Sequence, residues 1–98
     1  MPAPLAQAPA AELQRHLAQL TGHDHARVRP YGKHLLIQMQ REGAIETVAR
    51  LTEVARNSYT AAFRSHTGRW EPLPVAGDMK HAADAVTTLL APYFAQDM

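Results

Sequence analysis

Hydrophobic positions along this chain change period twice, and each change marks an element. Leu13, Leu17 and Leu20 recur at the i, i+4, i+7 spacing of one helix face, with Glu12, Arg15 and Gln19 opposite. Pro9 suits the first turn of that helix, where a missing N–H costs nothing, and Gly22 suits its C-terminal stop. Three leucines and some alanines make a thin stripe, so this helix needs a neighbour to hold it.

Between residues 33 and 75 the period becomes two. Leu35, Ile37 and Met39 alternate with His34, Gln38 and Gln40. Ile45, Ala49 and Leu51 stand among Glu46, Val48 and Arg50; Tyr59, Ala61 and Phe63 alternate with Thr60, Ala62 and Arg64; Leu73 and Val75 complete the set. This is strand alternation repeated four times, with short turn-forming segments between, and it predicts an antiparallel meander.

Arg41-Glu42-Gly43 and His66-Thr67-Gly68 each end in glycine, which suits a three-residue hairpin loop with glycine left-handed. Such a loop pairs residues of equal parity. It predicts Met39 opposite Ile45, Leu35 opposite Ala49, and Ala61 opposite Leu73. The turn at Ala55-Arg56-Asn57-Ser58 is expected to behave alike, because asparagine tolerates the left-handed conformation. A two-residue turn at Thr67-Gly68 would instead cross parity and send Trp70 into the core.

A second helix follows. Asp78 is its expected N-cap. Met79, Ala82, Ala83, Val86, Leu89 and Leu90 form its apolar stripe, and Pro92 ends it near Ala91, with Tyr93 and Phe94 packing back. The order is helix, four strands, helix, with both helices over the odd-numbered sheet face. The expected fold is α+β: an N-terminal helix, a four-stranded antiparallel β-meander and a C-terminal helix in a two-layer α/β sandwich. Residues 1–8 read as a Pro/Ala-rich flexible arm, and 9–98 as one domain.

The even-numbered face is then the candidate surface. It gathers His34, Leu36, Gln38, Glu46, Val48, Arg50, Thr60, Ala62, Arg64 and Trp70. The expected register puts His34 opposite Arg50, Leu36 opposite Val48, and Arg64 opposite Trp70. Half apolar and half basic, with the chain's one tryptophan, the face has the composition of an interface core. Trp70, Arg64 and Arg50 are its expected centre, flanked by His34 and Arg69.

Composition narrows the chemistry. Ninety-eight residues with 46% hydrophobic and 19% charged positions describe one ordinary globular domain. Eight arginines stand against two lysines, and with the abundant alanine this fits a GC-rich bacterial gene. The net charge of +1 alone does not argue for nucleic acid. The chain has no cysteine, so no disulfide or zinc–thiolate site is possible. No stretch reads as a signal peptide or membrane span, and the expected location is cytoplasmic.

His23-Asp24-His25 has the residue types of a zinc, nickel or copper site, but alternate loop residues with only His16 near supply too few ligands; no metal or cofactor is expected. No Gly-x-Ser-x-Gly elbow or phosphate-binding glycine loop occurs, and Glu42, Glu46, Glu53 and Glu71 are dispersed, so no catalytic residue is assigned. The expected function is a small non-enzymatic binding module that uses one sheet face for homodimerisation or for another protein. Nucleic-acid binding through a basic sheet face is the alternative, with Arg27, Arg29 and Lys33 extending a stripe from Arg50, Arg64 and Arg69; a small metal- or ligand-binding protein is the third reading.

Overall fold

The computed structural model describes residues 7–41 and 43–94. Helix α1 (Gln7–Thr21) leads into strands β1 (Ala26–Tyr31), β2 (His34–Arg41), β3 (Ala44–Ala55), β4 (Ser58–Arg64) and β5 (Trp70–Gly77), then helices α2 (Met79–Leu89) and α3 (Ala91–Phe94). The strands pair antiparallel in chain order as one five-stranded open sheet. The α+β architecture is as expected from the sequence, with one strand more. Residues 1–6 of the expected arm lie outside the described residues, and Gln7 and Ala8 already belong to α1.

The extra strand is β1. Ala26, Val28 and Pro30 face the helices, and Arg27, Arg29 and Tyr31 face away. The turn at Gly32-Lys33 joins it to β2, with Gly32 at φ +59° and Tyr31 opposite His34. A two-residue turn crosses parity. The inward positions are therefore even in β1 and odd in β2.

Two other turns also hold two residues, against the expected three. Arg41 pairs with Ala44, and Ala55 pairs with Ser58 across Arg56 and Asn57, the latter at φ +54°. Each turn crosses parity, and each is flanked on β3 by one extra residue that restores it. Ile37 pairs with Ala49 while Gln38 pairs with Thr47, so Val48 is the bulged residue of β3. Val54 plays the same part before Glu53 pairs with Tyr59. Met39 consequently faces Glu46 rather than Ile45, and Leu35 faces Leu51 rather than Ala49. Ile45 turns outward and is 69% exposed. On β5 the ladder slips between Thr60–Ala76 and Ala62–Pro72, so the expected Ala61–Leu73 pair does not form.

The remaining loop is the expected one. Ser65 N donates to Arg69 O at 2.8 Å around His66-Thr67-Gly68, with Gly68 at φ +84°, and Arg64 lies opposite Trp70.

Both helices cover the same sheet face. Leu13 and Leu17 of α1 and Ala82, Ala83 and Val86 of α2 are fully buried over Ile37, Ala49 and Leu51. Each large aliphatic side chain so buried contributes about 1.5–3 kcal/mol. Asp78 caps α2 by accepting from His81 N at 2.8 Å, and Gly22 ends α1 at φ +78°. Pro92 falls in α3, which returns Phe94 to the core.

Both sheet edges are closed to further pairing. On β1, Val28 N donates to Gln14 Oε1 at 3.1 Å, and Pro30 has no N–H to offer. On β5, Pro72 and Pro74 likewise lack donors. Proline and a covering side chain are recognised means of blunting an edge strand.

Candidate functional site: the open sheet face

The face away from the helices carries Arg27, Arg29 and Tyr31 on β1, and His34, Leu36 and Gln38 on β2. Thr47, Arg50 and Thr52 follow on β3, Thr60, Ala62 and Arg64 on β4, and Trp70 and Pro72 on β5. Two expected members are absent. Glu46 sits opposite Met39 on the helix side, and the bulge turns Val48 into the core. Thr47 takes the vacated position, accepting from Gln38 Nε2 at 3.0 Å. His34 faces Thr52 rather than Arg50, and Leu36 faces Arg50 rather than Val48.

Trp70, Arg50 and Arg64 do come together. The three-residue loop after β4 puts Trp70 beside Arg64, whose guanidinium carbon lies 5.7 Å from the indole centroid. Arg50 reaches the same ring at 4.5 Å from one strand further away. It can do so because the residue opposite it is Ala62, whose methyl group leaves the path open. Two cation–π contacts of about 0.5–1 kcal/mol each hold two like charges over one ring. Arg50 Nε is buried and has no hydrogen-bond partner.

His34 lies in the next transverse row, its Nδ1 2.8 Å from Thr52 Oγ1. Burial, and then the positive charges of Arg50 and Lys33, hold its pKa below the ordinary 6.5. Arg69 is exposed in the β4–β5 loop, at the rim of the face. Arg27 and Arg29 belong to the face proper, because β1 is a strand.

The face has an unbalanced charge. Among the described strand residues no carboxylate lies on it. Glu46, Glu53 and Glu71 pair opposite Met39, Tyr59 and Phe63, which puts all three on the helix side. Arg27, Arg29, Arg50 and Arg64 have no carboxylate partner, and the single contact at ion-pair distance among the described residues is His16 Nε2 to Glu12 Oε1 at 3.8 Å on α1. The four arginines fill two adjacent rows: Arg29, Leu36, Arg50 and Ala62 in one, Arg27, Gln38 and Thr47 running toward Arg64 and Trp70 in the other. Five strands at about 4.8 Å make the strip about 19 Å long. Trp70 stands at its β5 end, and Tyr31, 66% exposed, lies beside its β1 end in the adjoining His34 row.

Other parts of the surface gather less. A groove of about 580 Å³ between α1 and β1 is lined mainly by Ala10, Ala11, Ala18, Ala26 and Val28, and its Gln14 is committed to the β1 edge. His23 uses both ring nitrogens: Nε2 donates to Phe94 O at 2.7 Å and Nδ1 accepts from His25 N at 3.1 Å. It ties α3 to the α1–β1 loop. Among the described residues no three metal-ligating groups cluster, and no helix is long and apolar enough to cross a membrane.

Strand β1 is what the sequence reading missed on this face. Its signal was present: Ala26, Val28 and Pro30 alternate with Arg27, Arg29 and Tyr31, and Gly32-Lys33 suits a two-residue turn.

Fold and surface together define a small α+β domain with one helix-covered and one open, arginine-rich sheet face. No family model matches the chain, and no match was found among curated proteins or solved structures.

Proposed function

We propose that this protein is a non-enzymatic binding module whose open sheet face receives an anionic partner. The observation that carries this reading is a face on which, among the described residues, no strand carboxylate lies and Arg27, Arg29, Arg50 and Arg64 have no carboxylate partner. Such a field steers a partner of opposite sign and repels one of the same sign. Leu36 and Ala62 in the middle of the face, with Pro72 and the Trp70 ring at its β5 side, give the surface an apolar component of the kind interfaces carry.

The same charges make homodimerisation through this face unfavourable, since two copies would bring eight guanidiniums together. Strand addition at either edge is opposed by Gln14, Pro30, Pro72 and Pro74. A partner that lies across the face meets neither obstacle.

Trp70, the lone tryptophan, reports on the site directly through its emission. Titration with two polyanions, poly-L-glutamate and a single-stranded oligonucleotide, is expected to change that emission for at least one of them at low salt. The response should be lost in the Arg50→Ala/Arg64→Ala variant. If neither polyanion binds the wild type, the reading is wrong. Light scattering in the micromolar range is expected to give a monomer, and a salt-stable dimer disrupted by the same variant would instead support self-association.

A further inference from the structure

We infer that the open face takes single-stranded nucleic acid, laid across the strands from Tyr31 to Trp70. This rests on the reading above and names the class of partner.

Each cation on the face is arginine. A guanidinium differs from an ammonium in two ways that matter here: it grips a phosphate with two parallel hydrogen bonds, and its plane stacks on a base. Arg29 and Arg50 share a transverse row with Leu36 between them, about 9.6 Å apart at two strand spacings. Arg27 and Arg64 line the neighbouring row. A chain crossing the sheet meets positive charge from one edge to the other.

Tyr31, 66% exposed, and Trp70 stand at the two ends of an oblique path over these rows, Tyr31 opposite His34 on β1 and Trp70 opposite Arg64 on β5. An exposed ring beside arginines is a stacking platform for an unpaired base, and antiparallel sheet faces with exposed aromatics capture single strands in this way. Between the rings, Gln38, Thr47, Thr52 and Thr60 offer hydrogen-bonding groups that suit base edges. The acidic-polypeptide alternative lacks one advantage: an extended peptide most readily adds to a sheet edge, and here both edges are blunted. A base stack needs the face alone. A duplex hides its base faces and gains nothing from Tyr31.

The test uses the full chain and three probes: a labelled single-stranded oligothymidylate roughly 12 nucleotides long, its blunt duplex with oligoadenylate, and poly-L-glutamate. Anisotropy and Trp70 emission are followed at about 50 and about 200 mM salt. Four phosphate contacts at roughly 0.7 per contact give a logarithmic salt slope near −2.8, so affinity for the single strand should fall about 50-fold between these conditions. Replacing Arg50 and Arg64 with alanine should roughly halve the slope. Tyr31→Ala makes a largely exposed strand position smaller and leaves the core untouched. It should weaken single-strand binding by about five- to 150-fold, the range for one lost base stack, while poly-L-glutamate is unaffected.

Single-strand binding with this slope and this Tyr31 dependence supports the inference. Tighter binding of poly-L-glutamate, equal binding of the duplex, or indifference to Tyr31→Ala overturns it and leaves the anionic-partner reading standing. Binding of no probe overturns both.

Discussion

Replacing Trp70 with alanine distinguishes a surface ring from a core ring. The indole lies on the open face, partly exposed, and is held by the guanidiniums of Arg50 at 4.5 Å and Arg64 at 5.7 Å. Removing it costs two cation–π contacts, about 1–2 kcal/mol together, while the helix-side core is untouched. Leu51→Ala is the internal standard. Leu51 is fully buried on a central strand, so its truncation should cost about 2–5 kcal/mol. Urea denaturation followed by far-ultraviolet circular dichroism measures both. Trp70→Ala should remain cooperative and lose less than Leu51→Ala, and a thermal melt should show its Tm lower by about 5–15 °C. A loss of about 3–5 kcal/mol, the range for truncating a core aromatic, would refute the placement of Trp70 on the open face.

Deleting Val48 should leave the fold intact, because it removes the bulge and joins Thr47 directly to Ala49 with alternation preserved; the loss is limited to the burial of one valine, about 1.5–3 kcal/mol by thermal melting, with Trp70 emission unchanged. Gln14→Ala should cost about 0.5–1.5 kcal/mol by freeing Val28 N–H on the β1 edge, and adding Pro30→Thr should produce concentration-dependent association detectable by light scattering. His34 binds its proton less readily folded than unfolded, because burial, Arg50 and Lys33 depress its pKa. The unfolded chain therefore takes up more protons as pH falls below 6.5, so stability declines from that pH down to the depressed folded pKa and is level above it. His34→Gln should flatten that limb of a pH-dependent urea midpoint. In the wild type, affinity for a polyanion should rise over the same fall in pH as the face gains charge.

What was legible in the sequence was what local chemistry decides. Asp78 caps α2, Gly22 ends α1, and the alternation from Leu35 to Val75 sets the inward side of the sheet. The turn after β4 was also legible, because Gly68 at the third loop position takes a left-handed conformation there, and that placed Trp70 beside Arg64. The turns on either side of β3 were not. A two-residue turn flanked by one bulged residue leaves the same overall parity as a three-residue turn. Alternation in the sequence therefore could not separate them, and the pairs near each tip were displaced while those in mid-strand kept their faces. Strand β1 was obscured because its inward residues are Ala26, Val28 and Pro30, a weak apolar run ending in proline. Its absence hid Arg27, Arg29 and Tyr31, which change the face from a patch around Trp70 into a strip across the whole sheet. The one carboxylate expected on the face was misplaced by the turn ambiguity: Glu46 changes sides at the Val48 bulge.

The open face as the binding surface is tested most directly by nuclear magnetic resonance of the labelled protein titrated with the single-stranded oligonucleotide and, separately, with poly-L-glutamate. The amides of Arg29, Leu36, Arg50, Ala62 and Arg64 and the indole N–H of Trp70 are expected to shift together with at least one probe, while those of Leu17, Ala83 and Val86 on the helices stay still. Shifts confined to α1, α2 or the groove between α1 and β1 would contradict it.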